Sequence, residues 1–167
     1  LGYNAVKKAE KISIIHCSYE MHHSQVAMRY DSRFTMMLHR KFKTYDFTDK
    51  EIEAIKARLK KNYLRYNKRL KIISAPVRSS TLSQTRSLVE KLGEEMEHPV
   101  RLVILDSPDH FLAERTYRDK RHEASDIYWG VKGWAEEADI CIWGTMQAGR
   151  QAAGRIAKSE DVSEAYE

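Results

Sequence analysis

The chain has 167 residues, a net charge of +5, 42% hydrophobic and 32% charged residues, a balance that suits one globular domain with a single core and argues against disorder over most of its length. No apolar run approaches the ~18 residues of a membrane span, and the N-terminus has no signal-peptide pattern. The mild positive charge speaks to solubility first and to a polyanionic partner second.

Residues 1–10 predict the tail of a helix, and ISIIHCS (12–18) a buried strand. A helix is expected near 22–40, with Val26, Met28, Met36, Met37 and Leu38 as core candidates. A charged helix over 49–69 follows, with Ile52, Ile55, Leu59, Tyr63, Tyr66 and Leu70 at roughly helical spacing. LKIIS (70–74) is a second strand, ended by Pro76. Thr81 and Gln84 have the spacing of a capping box, which opens a helix running to Gly93. RLVIL (101–105) is a third strand. Residues 119–137 form an amphipathic helix with Ala124, Ile127, Tyr128, Val131, Trp134 and Ala135 on one side. DICIWGT (139–145) is a fourth strand, and a last short helix is expected from Ser159 to Glu167. Cys17 and Cys141 lie in apolar runs and are expected to be buried and reduced, in a cytoplasmic-type compartment.

Strands apolar on both faces, alternating with helices, imply a parallel sheet between two helical layers, hence an α/β fold in one compact domain over 1–167. Ligands of such sheets bind beyond the carboxyl ends of the strands. The first strand runs into Tyr19 and Glu20, the third into Asp106, and the fourth into Met146 and Gln147. Two carboxylates and a carboxamide on one edge suit phosphoryl transfer. One acid can hold Mg²⁺ through water, a second can polarise an attacking water, and the amide can report on a terminal phosphate. Acids after strands also serve simply as helix caps.

Residues 14–29, IIHCSYEMHHSQVAMR, resemble the catalytic-glutamate motif of DnaB-type replicative helicases, matching at Ser18, Glu20, Met21, Gln25 and Arg29. RLVILDSPDHF (101–111) resembles that family's Walker B strand, with Ser107 where Tyr is usual. Residues 114–150 resemble the remaining core, a basic segment, long helix, strand and sensor, with Met146 where Ser is usual and Gln147 and Arg150 aligned with the sensor. The resemblance implies a RecA-like three-layer sandwich with a mainly parallel central sheet. It also implies ATP and Mg²⁺ as cofactors in the complete parent protein, with Glu20 activating water, Asp106 holding Mg²⁺, Gln147 sensing the γ-phosphate and Arg150 binding nucleotide. The partners it implies are single-stranded DNA, further copies of the parent in a hexameric ring, and a primase or helicase loader.

Two family parts have no match: the G-x-x-x-x-G-K-[ST] phosphate loop and the arginine-finger segment after the sensor. A chain opening at Leu1 inside a helix reads as a fragment, an excised core or a processed chain. Alone it is expected to bind nucleotide poorly and to be inactive, since the loop supplies most phosphate contacts.

Other patterns have plainer readings. Gly144–Arg150 has phosphate-loop glycine spacing, but Arg150 and Gln151 replace the residues that touch phosphate and Mg²⁺, and a sensor loop is preferred. His16, Cys17, His22 and His23 suggest a metal site, yet adjacent strand residues face opposite ways. Residues 56–69 interleave Tyr63 and Tyr66 with seven Lys or Arg; a solvated helix with the tyrosines inward is preferred to a nucleic-acid surface. Arg115–Arg121 is a basic run that could face DNA. Two rivals stay open: another RecA-superfamily ATPase, of recombinase or circadian-clock type, and a non-catalytic binding or assembly module on the same fold.

Overall fold

The computed structural model describes residues 1–118 and 120–146. Among these residues four strands, β1 (Ser13–Ser18), β2 (Leu70–Ser74), β3 (Val100–Asp106) and β4 (Cys141–Gly144), form one sheet in the order β2-β1-β3-β4. Every pairing is parallel. Among the described residues six helices connect and cover them: α1 (Gly2–Lys8), α2 (His23–Thr35), α3 (His39–Thr44), α4 (Asp49–Tyr66), α5 (Leu82–Glu94) and α6 (Lys120–Glu137). A 3₁₀ turn, Pro108–His110, follows β3. Among the described residues no helix is long and apolar enough to cross a membrane.

Alternation along β1 and β3 divides the core in two. Ile15, Cys17, Tyr19, Val103 and Leu105 pack with Val89 of α5, and with Ile127 and Trp134 of α6. Ile14, Leu102 and Ile104 face the other way, onto Val6 of α1 and Tyr66 of α4. The two central strands are therefore apolar on both sides, as strands buried between helical layers must be. Where α5 and α6 meet, a Cβ at Gly130 would stand 2.6 Å from Leu82 Cδ2, so a side chain here would have to displace the end of Leu82.

Capping chemistry sets the starts of α4 and α5. Thr81 and Gln84 form the expected reciprocal box, and Thr48 with Glu51 forms a second one opening α4.

The helix expected over 22–40 is two helices. The Thr35 hydroxyl donates to the Asp31 carbonyl at 2.7 Å and that of Ser32 to the Met37 carbonyl at 2.7 Å. These bonds draw the backbone out of the helical ladder, and Met36 takes the left-handed conformation at φ 59°. Met36 and Leu38 are exposed as a result, contrary to their core assignment.

Tyr63 is also outside, at 67% exposure, while Tyr66 is buried. The inward position one residue earlier is held by Asn62, whose amide donates to the Phe34 carbonyl at 3.2 Å.

Cys141 is exposed rather than buried. It lies on the strand flanking β3, and its register partner Leu102 places it on the α1–α4 side, where Trp143 is exposed too. Ile142, on the opposite face, packs into the α5–α6 layer. Cys17 has the reverse character: burial pushes its thiol up to about 12, so it forms little thiolate near neutrality. A colorimetric thiol titration of the native protein at pH 8 should therefore show Cys141 reacting at once and Cys17 only on unfolding. Two fast thiols would contradict this packing.

The helix expected near Ser159–Glu167 lies outside the described residues.

Candidate active site at the strand tips

β1, β2 and β3 end level with one another. Ser18 is the register partner of Ser74 on one side and of Asp106 on the other. Paired residues of parallel strands project to the same face, so these three form a polar row along the carboxyl edge. The row is built into the turn that follows. Ser18 Oγ accepts a hydrogen bond from the Met21 amide at 3.0 Å, and Ser74 Oγ accepts one from the His23 amide at 3.0 Å. The β1–α2 turn is thus held by two strands at once.

Tyr19 and Glu20 divide the next step. The Tyr19 amide donates to the Asp106 carbonyl at 2.7 Å, fixing the height of the chain against the tip of β3. The Tyr19 side chain enters the α5–α6 layer, where its hydroxyl pairs with Thr85 Oγ1 at 2.6 Å and its ring stands edge-on to Phe111 at 4.8 Å. Burial pushes this phenol up to about 12. Glu20 follows at the crest and is exposed. Alternation therefore delivers an aromatic anchor below and a free carboxylate above.

Asp106 is half-buried, and its Oδ1 accepts the Thr145 hydroxyl at 2.8 Å. The Thr145 amide donates to the Leu105 carbonyl at 3.1 Å, so the end of β4 is laid beside the tip of β3. Two residues before Ser18 on the same strand, His16 Nδ1 meets the Tyr30 hydroxyl at 3.1 Å. Burial pushes the His16 imidazole down, with the nearby Asp106 charge opposing, and its Nε2 is buried without a hydrogen-bond partner among the described residues. A neutral ring is the form that such a site tolerates.

Of the residues expected at the edge, Glu20 and Asp106 are brought to adjoining strand tips. Gln147 and Arg150 lie outside the described residues. Thr145 and Ser74 were not anticipated. A hydroxyl 39 positions from its acid carries no local sequence signal, although small polar residues closing apolar strands were visible at both Ser18 and Ser74.

The donors available around Asp106 are hard oxygens, the type Mg²⁺ prefers. One carboxylate oxygen is engaged by Thr145, and a water-mediated hold on the ion fits this set. A soft-metal site does not fit. His16 and Cys17 face opposite sides of the sheet, and among the described residues no group of three or more His, Cys, Asp or Glu could share an ion. A cavity of about 170 Å³ lies on the Tyr19 side, between β1, β2 and α5. It is small beside the roughly 300–1,000 Å³ of ordinary ligand pockets, and Asp106 is not among its walls.

The model of the DnaB-like helicase C terminal domain matches residues 1–167. Among solved structures, the chain is similar to an ATPase domain, with a TM-score of 0.80 and 15% identity over 96% of this chain and 56% of that one. It is likewise similar to a DnaB-like replicative helicase, described together with its interactions with primase, with a TM-score of 0.76 and 15% identity over 90% of this chain and 36% of that one. At such identity the likeness concerns the fold alone. The chain spans only part of both neighbours. No curated protein matches the chain. The described sheet has the parallel RecA-like α/β arrangement, the family model runs from end to end, and this chain belongs to the DnaB-like helicase C-terminal domain family.

Proposed function

We propose that the chain is part of the ATP-hydrolysing motor of a ring-forming DNA helicase, coupling hydrolysis to translocation along single-stranded DNA during replication. The observation that carries this reading is the adjoining placement of Glu20 and Asp106 at the tips of neighbouring parallel strands, with Tyr19 bonded to the Asp106 backbone. Glu20 has the exposure that a base acting on water requires. Asp106, kept in position by Thr145, is the group that would hold Mg²⁺. The ion, when bound, neutralises charge on the phosphates. Gln147 is assigned as γ-phosphate sensor and Arg150 as a nucleotide contact through their match to the family's sensor segment. Hexamer formation and engagement of a primase or loader belong to the same reading of the complete protein, as does a cytoplasmic location.

The test uses the full-length parent protein, with ATP and Mg²⁺, on a forked duplex. Strand separation accompanied by DNA-stimulated hydrolysis is expected. Hydrolysis indifferent to forks would favour a recombinase-like or clock-type ATPase, and absence of hydrolysis despite an intact phosphate loop would favour a binding or assembly module.

A further inference from the structure

Helix α4 has a face that the strand-tip site leaves unused. Its inward stripe is Ile55, Leu59, Asn62 and Tyr66, at spacings of one helical turn. Tyr66 stacks on Phe34 of α2 with ring centroids 5.2 Å apart, and Asn62 bonds the Phe34 carbonyl. The opposite side, Ala57, Lys60, Lys61 and Leu64, is exposed, with Tyr63 and Arg65 on its flanks and exposed Lys68 in the turn that follows the helix. Tyr63 and Leu64 are 67% and 73% exposed.

Beyond the acidic first turn with Asp49 and Glu51, and past Glu53, the charge on this face is of one sign. Residues 56–69 contain no Asp or Glu among their many Lys and Arg. Three of these cations are occupied: Lys56 pairs with Glu53 at 2.8 Å, Arg58 donates to the Thr35 carbonyl, and Arg69 is buried. Lys60, Lys61, Arg65 and Lys68 form none of the ion pairs among the described residues. Arg65 lies over the ring of Tyr66 at 5.3 Å, which leaves its charge at the surface. Placing cations in the last turns also complements the helix dipole, but that accounts for the charges and not for an exposed tyrosine among them.

We propose that the outer face of α4, with the turn that follows it, binds single-stranded nucleic acid, with phosphates on Lys60, Lys61, Arg65 and Lys68 and a base stacked on Tyr63. An electropositive track with an exposed aromatic ring is what strands of any sequence can use, since every base offers a π-face. The helical part of the track, from Lys56 to Tyr66, is about 15 Å long at the helical rise, and Lys68 follows it in the next turn, enough for a few nucleotides. Duplex DNA offers such a ring no unstacked base, which selects the single strand. This surface is separate from the strand-tip chemistry and does not depend on nucleotide turnover.

The experiment is fluorescence anisotropy of labelled oligo-dT with the protein, without ATP, across a salt series. Replacing Lys60, Lys61 and Arg65 together with Ala should lower the slope of log affinity against log salt by about 2, since each phosphate contact on a single strand contributes ~0.7. Tyr63→Ala should weaken binding about tenfold at fixed salt with the slope unchanged. Removing the same charge elsewhere, with Lys7, Lys8 and Lys11 replaced by Ala, should leave both quantities near the parent values; these lysines are exposed beyond the site. The proposal is overturned if the α4 triple variant behaves like the Lys7/Lys8/Lys11 control, or if Tyr63→Ala binds as the parent does. Competition by polyglutamate as effective as that by unlabelled oligo-dT would instead identify an acidic protein segment as the occupant, and would equally overturn it. In Glu20→Gln, oligo-dT binding is expected to be retained; hydrolysis near the parent rate in that variant, with oligo-dT binding retained, would count against the motor reading alone and leave this inference standing.

Discussion

Glu20→Gln in the full-length protein is expected to abolish most ATP turnover, by about 10²–10⁴-fold, while leaving nucleotide binding in place. The substitution keeps the shape of the side chain and removes its capacity to take a proton. Its neighbours are held without it: Ser18 and Ser74 fix the turn, Tyr19 is bonded to Asp106 and Thr85, and Glu20 itself is exposed at the crest. Folding stability should therefore change by no more than about 0.5 kcal/mol, the usual effect of an exposed substitution away from any network. Steady-state hydrolysis together with binding of a fluorescent ATP analogue separates the two effects. Turnover near the parent rate would remove Glu20 from the catalytic role, and lost binding would make it a nucleotide contact instead.

The largest loss of stability is expected at Arg69, a residue outside the active site. Its guanidinium is buried at 6% exposure, with no carboxylate partner among the described residues. It is spent on backbone: Nε donates to the Ile12 carbonyl at 3.1 Å, and Nη2 donates to the carbonyls of Val6, at 3.4 Å, and Ala9. Val6 and Ala9 lie at the C-terminal end of α1, where helical carbonyls lack partners within the helix. Arg69 thus caps α1 from the turn before β2, a cation at the negative end of the helix dipole. Arg69→Met fills similar space but leaves these acceptors buried and unpaired. A cost of about 3 kcal/mol follows from ordinary values for charge-assisted bonds, or a fall of ~10 °C in Tm for a chain of this size. Lysine should rescue little, because one ammonium cannot present the fork that spans three carbonyls. Thermal denaturation of the three proteins checks both statements, and an Arg69→Met protein as stable as the parent would show that the carbonyls find other donors.

The sheet was legible because its strands announce themselves. ISIIHCS and RLVIL are apolar on both faces, and only a strand between two helical layers needs that. The capping box at Thr81 was equally legible, since both of its bonds are local. What failed was decided over longer range or by competing local bonds. Met36, Met37 and Leu38 continue the helical spacing of the residues before them, yet the Ser32 and Thr35 hydroxyls capture backbone carbonyls and end the helix first. Tyr63 fits the apolar periodicity of α4 as well as Tyr66 does. A polar residue, Asn62, takes the inward place because a carbonyl of α2 awaits its amide. Cys141 sits in an apolar run, but the face it occupies at β4 is open. At the site, Glu20 and Asp106 could be read from the residues that end each strand. The Thr145 bond to Asp106 joins segments whose relation only the folded sheet creates.

The opposite orientations of Tyr19 and Glu20 set a rule for where this gene can gain or lose codons. A single-residue insertion or deletion within β1 shifts every later side chain to the other side of the sheet, which would drive the acid into the oily layer and lift the aromatic ring to the surface. The interval between α2 and α4, with its short helix and exposed Met36, Leu38 and Tyr45, carries no such parity. Length variation among natural relatives should gather in that interval and be absent from the six residues Ser13–Ser18.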